Sequence, residues 1–297
     1  MGKVRINEYI MTNPKIIKDK IILCISDIHG NVSALRDILN VIKNMNIDYI
    51  FMPGDIIDYL TQDNQDKLIS LLSEFKKCFR IFMCIGNHDM YDPKLKYKDL
   101  DELEDFNFYK EINEEVTLFK DKFGHMSIDD ELDVYALNFD KEYYESRENS
   151  KVFDLFIDKI KFPIISEDKF NILITHTPNN LIKNREIIDN NFINDMNLIL
   201  SGHNHGGLVP TFFQDIFKNN MGLFGPYHLF TYPAYGIVEK DNTSILISNG
   251  VEKISETSPH KIVHKPLKLF YMPEIDLIKL SHSDKHNLKL KRRLVLK

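Results

Sequence analysis

Cysteine is scarce in this chain, and the three residues present, Cys24, Cys78 and Cys84, do not form the evenly numbered, spaced set of a disulfide framework. Cys24 and Cys84 fall inside strand-like apolar runs, where a thiol behaves as a small buried hydrophobe. No long hydrophobic run opens the chain either. Residues 1–20 carry scattered charges without a continuous apolar stretch, so neither a secretory signal nor a transmembrane helix is expected there, and a reducing, cytoplasmic setting is the expectation. An excess of positive charge is missing as well. A net charge of −6 over 297 residues excludes a protein that coats nucleic acid with a basic face, and no stable nucleic-acid partner is expected; nucleotides as small substrates stay open. No internal repeat is visible. With 43% hydrophobic and 28% charged residues, the chain can bury a full core as one large domain or a domain with an inserted cap.

What the chain does have is five short polar clusters: Ser26-Asp27-Ile28-His29-Gly30-Asn31, Gly54-Asp55-Ile56-Ile57-Asp58, Gly86-Asn87-His88-Asp89, Thr175-His176-Thr177 and Gly202-His203-Asn204-His205-Gly206-Gly207. Each follows a strand-like run, at 21–25, 49–52, 80–85, 171–174 and 198–200, which would place all five at one edge of a sheet. Asp27, His29, Asp55, Asn87, His176, His203 and His205 offer carboxylate, amide oxygen and imidazole donors, enough for two divalent ions if one carboxylate bridges them. No thiolate is among them. That donor set argues against a closed structural zinc site and for a catalytic centre with positions open to water and substrate. His125, His228, His260, His264, His282 and His286 lack such a context and read as surface or satisfied core histidines.

The ordered set Asp27-x-His29, Gly54-Asp55-x-x-Asp58, Gly86-Asn87-His88-Asp89, His176 and Gly202-His203-x-His205 resembles the calcineurin-like metallophosphoesterase superfamily, over about residues 20–280. The form His203-Asn204-His205-Gly206-Gly207, with Ile247-Ser248-Asn249-Gly250 and Pro273-Glu274-Ile275, is similar to its small bacterial-type branch. The resemblance implies an αββα sandwich of two mixed β-sheets flanked by helices. It implies Asp27, His29, Asp55 and His205 on one metal and Asp55, Asn87, His176 and His203 on the other. It further implies in-line attack on phosphorus by a metal-bridging hydroxide, with His88 as general acid and Asp58 orienting its ring. The metals are two divalent ions, drawn from manganese, iron, zinc, nickel and cobalt, with manganese the first expectation. Asp89 either supports its loop or faces water.

Tyr59 and Asp89 replace the arginine and glutamate of the protein phosphatase branch, and only Arg36 and Arg80 lie near a motif in sequence. A small phosphodiester or pyrophosphate substrate is therefore expected, with a phosphoserine/phosphothreonine phosphatase, or a non-catalytic scaffold, as the alternatives. Helical spacing marks Leu35, Ile38, Leu39, Ile42 and Met45, then Leu68, Leu71, Leu72 and Phe75, then Val152, Leu155, Phe156 and Ile160 as core-facing stripes. Strands are expected at 116–119, 134–137, 236–239 and 244–248. The acidic stretch 90–115 reads as an exposed helix and loop. Residues 1–280 are expected to form the domain, residues 208–235, rich in Phe and Tyr, either core packing or a lid or cap, and residues 281–297 a solvated basic tail.

Overall fold

The computed structural model of the chain describes residues 3–58, 62–92, 96–146, 150–183, 193–210, 213–214, 220–223, 233–240, 242–252 and 271–296. The chain runs β1 (Val4–Asn13), β2 (Lys20–Cys24), α1 (Val32–Ile42), β3 (Tyr49–Pro53), α2 (Gln62–Lys76) and β4 (Arg80–Cys84), the β-α-β-α-β alternation expected after residue 20. Short 3-10 turns at His88–Met90 and Leu100–Asp105 lead to α3 (Asn107–Glu115) and β5 (Thr117–Leu118). Next come β6 (Phe123–Ser127), β7 (Leu132–Leu137), α4 (Lys141–Glu145), α5 (Ser150–Asp158), β8 (Phe170–Thr175), α6 (Asn179–Lys183) and β9 (Leu198–Ser201). The described elements end with β10 (Gly236–Lys240), β11 (Thr243–Ile247), β12 (Glu274–His282) and β13 (Asn287–Leu296).

Among the described residues these strands form two mixed sheets, seven-stranded in the order β13-β1-β12-β2-β3-β4-β5 and six-stranded in the order β10-β11-β9-β8-β7-β6. Side chains alternate across each strand, so the inner strands of both sheets serve two cores. Ile22, Phe51, Phe82 and Ile278 of the first sheet share one buried cluster with Val134, Ile172, Leu198 and Leu246 of the second, which is the layer between the sheets. The alternate residues face helices. Leu23, Ile50, Met52 and Ile81 join Leu35, Ile38, Leu68 and Phe75, while Tyr135, Leu173, Ile199 and Ile245 join Phe153, Phe156 and Leu181. The αββα sandwich is thus present, and no described helix is long and apolar enough to cross a membrane.

Local signals explain where the helices start and which face they bury. Asn31 caps α1, its side-chain oxygen accepting the Ala34 N–H at 3.0 Å, a bond worth about 1 kcal/mol at a helix start. The stripes of α1 and α2 are buried as their spacing predicts, except that Met45 lies beyond the end of α1 and is half-buried. In α5 the core face is instead Phe153, Phe156 and Ile157, and Leu155 is 61% exposed. The apolar arc of this short helix, from Val152 and Leu155 to Ile157, is wider than the face it buries; the phenyl rings choose which part turns inward, packing 5.8 and 5.0 Å from Phe139.

Three expectations need correction. The five clusters collect at strand ends of two facing sheets, not of one: β2, β3 and β4 belong to the first, β8 and β9 to the second. Residues 287–296, expected to be a solvated tail, form β13, paired antiparallel to β1. Its Lys289 and Lys291 lie on an edge strand, where charge discourages further pairing, while Leu288 is buried between the sheets. Residues 1–20, which fall within the expected 1–280 span, contribute β1. The acidic stretch is amphipathic rather than simply exposed: Leu100, Leu103, Phe108, Tyr109 and Ile112 are buried, with Asp101, Glu111 and Glu114 outward.

Of the 208–235 segment, Phe212, Phe217, Phe224, Gly225, Pro226, Tyr227, Phe230 and Tyr232 lie outside the described residues, as does Tyr59. Its described parts fold back on the last motif. The Leu223 N–H donates to the Gly207 carbonyl at 2.8 Å, Asn204 Nδ2 donates to the Pro233 carbonyl at 3.2 Å, and Val209, Ala234 and Tyr235 form a small buried cluster. Phe213 is 42% exposed, so it is not a core residue.

Candidate metal centre

All seven residues singled out as ligands converge where the two sheets meet. Asp27, His29, Asp55 and His205 each present one donor atom within 4.8 Å of the others, and Asp55, His176 and His203 form a second such group. Asp55 belongs to both. Its Oδ2 lies 3.1 Å from His176 Nε2 and 3.6 Å from His29 Nε2, between the two groups. Asn87 completes the second group, with Oδ1 at 3.0 Å from His176 Nε2 and 2.9 Å from His203 Nδ1, and those two nitrogens 3.1 Å apart. Donor atoms held at about 2.1 Å from one cation at right angles stand about 3 Å from each other, the spacing seen here.

The backbone is bent to achieve this. Asp27, His29, Asp55, His203 and His205 all have left-handed φ, between 47° and 70°, a conformation that costs a non-glycine residue on the order of 1–3 kcal/mol and gathers at functional sites. Two glycines make the room. A Cβ on Gly202 would stand 2.3 Å from Asp27 Oδ2, and one on Gly86 would stand 2.2 Å from Asp55 Oδ1.

Neighbouring groups orient the donors. His176 Nδ1 donates to the Pro53 carbonyl at 3.0 Å and His205 Nδ1 to the Glu252 carbonyl at 2.8 Å, which fixes Nε2 of each ring as the lone-pair nitrogen. Backbone N–H groups hold the carboxylates: His203 N–H donates to Asp27 Oδ1 at 2.9 Å, and His88 N–H to Asp55 Oδ1 at 2.8 Å. Asp89 does not face water. Its carboxylate accepts the N–H groups of Asp55, Ile56, Ile57 and Gly86 at 2.7–3.0 Å, tying the second cluster to the third. The Tyr109 hydroxyl in turn donates to the Asp89 carbonyl. None of these backbone partners is visible in sequence, because a carbonyl or amide carries no residue identity.

His88 stands beside the two groups rather than in them, its Nδ1 2.7 Å from Asp58 Oδ1. Burial opposes its charge, but the Asp55 and Asp58 carboxylates outweigh burial and raise its pKa. For Asp55 burial pushes up and the His176, His88 and His29 rings pull further down, leaving the carboxyl well below its usual range. Burial and the adjacent His88 ring lower His29 to about 3, so this imidazole is neutral and offers a lone pair. Burial and the Asp55 charge push Asp89 up to about 7.

The residues fit divalent cations on a further count. Asp27 Oδ2, Asp55 Oδ2 and both ring nitrogens of His29 are buried with no hydrogen-bond partner among the described residues. Each such orphaned atom costs about 1–3 kcal/mol unless something else satisfies it, and a mixed oxygen and imidazole set satisfies ions such as manganese, iron or zinc. The remaining described histidines lie elsewhere. His125 pairs with Asp133 at 3.3 Å, His282 donates to the Ile16 carbonyl, and His286 bridges Asn13 and Ser244; His228, His260 and His264 fall outside the described residues. The arginines near motifs in sequence are also engaged away from the site: Arg36 pairs with Glu74, and the Arg80 guanidinium lies over the rings of Tyr49 and Phe82.

Residues 21–207, more than half the chain, match the family described as calcineurin-like phosphoesterase. An uncharacterized metallophosphoesterase of Campylobacter jejuni is 27% identical over 242 residues, which are 80% of this chain and 55% of that protein. An uncharacterized protein of Methanocaldococcus jannaschii is 41% identical over 68 residues, 23% of this chain and 26% of its own length. The chain therefore spans about half the length of the first relative and a quarter of the second. Among solved structures, a dimetal phosphatase of Danio rerio aligns over 81% of this chain and 90% of its own at 14% identity and a TM-score of 0.45. An archaeal phosphodiesterase aligns over 78% and 84%, at 14% identity and a TM-score of 0.37. With five motifs converging on one cluster able to hold metal and the family match covering all of them, the chain belongs to the calcineurin-like phosphoesterases.

Proposed function

We propose that this chain hydrolyses a phosphodiester or pyrophosphate bond at a two-cation site. The observation that carries this reading is the pair of donor groups sharing Asp55, with the His88–Asp58 pair directly beside them. Asp27, His29, Asp55 and His205 would hold one ion and Asp55, Asn87, His176 and His203 the other. When bound, two such cations lower the pKa of water and offset the charge of the phosphoryl oxygens. The chain's own residues supply the rest. The left-handed loops hold the donors in place before substrate arrives, which lowers the reorganisation the reaction requires. Asp58 fixes the His88 ring through Nδ1 and favours its protonated form, so Nε2 carries the proton delivered to the departing oxygen.

A phosphodiester or pyrophosphate is preferred over a phosphoprotein because neither Arg36 nor Arg80 lies at the site to grip a terminal phosphate in bidentate fashion. His88→Asn tests the assignment. It should keep metal content near that of the unaltered protein, since Asn87 and not His88 is the proposed ligand. General acid catalysis is worth about 10²–10⁴ in rate, so a diester with an alkyl leaving group should slow by that much and one with a nitrophenyl leaving group far less. Equal losses on the two would remove His88 from the acid role.

A further inference from the structure

Tyr91 and Tyr97 face each other across an isolated antiparallel bridge. The flanking bonds run from the Asp92 N–H to the Lys96 carbonyl at 3.0 Å and from the Lys98 N–H to the Met90 carbonyl at 2.9 Å. Tyr91 and Tyr97 are therefore a non-hydrogen-bonded pair, whose side chains project from the same face at closest approach. Their rings stack at 4.5 Å and 25°, and the Tyr91 hydroxyl donates to that of Tyr97 at 2.9 Å. Tyr144 continues the row, 6.0 Å and 18° from Tyr97, and reaches within 6.2 Å of the His203 ring. At the other end the Tyr91 ring stands 5.2 Å from the His88 ring, nearly perpendicular at 83°. The row thus runs along one flank of the site, from the proposed proton donor to a proposed metal ligand. Tyr144 is buried and anchors it, while Tyr91 and Tyr97 are only partly buried.

We propose that Tyr91 and Tyr97, stacked beside His88, form a platform for a planar leaving group, so that the diesters this chain takes carry a nucleoside or aryl alcohol. The proposal deepens the hydrolase reading and rests on it. A leaving oxygen that takes its proton from His88 must lie within hydrogen-bond reach of that ring, and the group attached to it then lies against the adjacent ring of Tyr91. A nucleobase or aryl ring stacks on a phenol face, whereas glycerol or another alkyl alcohol has no flat face to offer. In the reaction a water oxygen forms the new bond to phosphorus and the bond from phosphorus to the nucleoside or aryl oxygen breaks. The departing oxygen takes the His88 proton and the proton released by water returns to solvent, leaving a monoester and a free alcohol.

The test compares bis(p-nitrophenyl) phosphate with glycerophosphoethanolamine on manganese-loaded protein, in the unaltered chain, Tyr91→Leu and Tyr91→Phe. Tyr91→Leu should lower the ratio of kcat/KM for the aryl over the alkyl diester by about tenfold, the size of one lost base–aromatic stack, while Tyr91→Phe keeps the ratio. An unchanged ratio in Tyr91→Leu overturns the platform. Calorimetric binding of AMP against glycerol 3-phosphate reads the same surface without turnover. The unaltered protein should prefer AMP by about tenfold, and Tyr91→Leu should erase the preference; equal affinities in the unaltered protein overturn the proposal. If neither diester is hydrolysed while the Tyr91-dependent AMP preference persists, the hydrolase reading fails and the platform stands.

Discussion

At the scale of single residues, Asp89 does the most with the least sequence signal. One carboxylate accepts four backbone N–H groups from two motif loops, and those loops carry Asp55 and Asn87. An amide in its place has one acceptor oxygen and turns an NH₂ toward donors. Because each buried donor left unpaired costs about 1–3 kcal/mol, Asp89→Asn should cost about 3 kcal/mol or more and weaken manganese binding. Urea unfolding and a manganese titration read both effects, and an unchanged midpoint with unchanged affinity would contradict the clamp. From sequence alone Asp89 stood between loop support and a water-facing role, because the donors it meets lie more than thirty positions away or belong to the backbone. The proposed ligand residues are legible for the opposite reason. Asp27, His29, Asp55, Asn87, His176, His203 and His205 have side chains whose chemistry names the task, each following an apolar run that fixes its place at a strand end.

At the scale of elements, the strands that lead into motifs match the apolar runs, and the strands expected at 116–119, 134–137, 236–239 and 244–248 overlap β5, β7, β10 and β11, whereas β1, β6, β12 and β13 carry no clear strand signal in sequence. β1 is hard to read because its alternation, regular over Val4-Arg5-Ile6-Asn7, shifts at Glu8-Tyr9, and because its polar positions Arg5 and Asn7 are themselves buried. Arg5 lies 3.9 Å from Glu274, and Asn7 Nδ2 donates to Asp276 Oδ1 at 2.9 Å, so partners on the adjacent β12 make burial of these groups tolerable. β13 escaped because its lysines and arginines read as a solvated tail, although Arg292 pairs with Glu8 of β1 at 2.7 Å and Leu288 packs between the sheets. The strand predicts a specific result. Leu288→Ala removes a fully packed side chain and should destabilise the protein by about 2–5 kcal/mol. A denaturation midpoint that does not move would restore the tail. The α5 helix shows the limit of periodicity in another way: its apolar arc is wider than the face it buries, and ring packing against Phe139 sets which part of that arc turns inward.

At the scale of the whole molecule, the site is a joint between two sheets. β2, β3 and β4 lead into Asp27, His29, Asp55, Asp58, Asn87 and His88, whereas β8 and β9 lead into His176, His203 and His205. A cation bound by both sides links the sheets and binds the folded chain alone, so it should raise the melting temperature; at a hundred times its dissociation constant the gain is about 2.7 kcal/mol. The shared carboxylate makes the two sites unequal to mutation. Asp55→Asn should remove both ions, whereas Asp27→Asn should leave the site of Asn87, His176 and His203 able to hold one, as elemental analysis of the purified variants would show. Retention of both ions by Asp55→Asn would mean that it does not bridge.

The most direct test of the central claim is the turnover of bis(p-nitrophenyl) phosphate as manganese is added back to exhaustively chelated protein. The account predicts no turnover in the metal-free protein and a rise that reaches its plateau at about two equivalents of manganese per chain, as a two-cation centre requires. Turnover that survives complete chelation, or a plateau at a single equivalent, would contradict it.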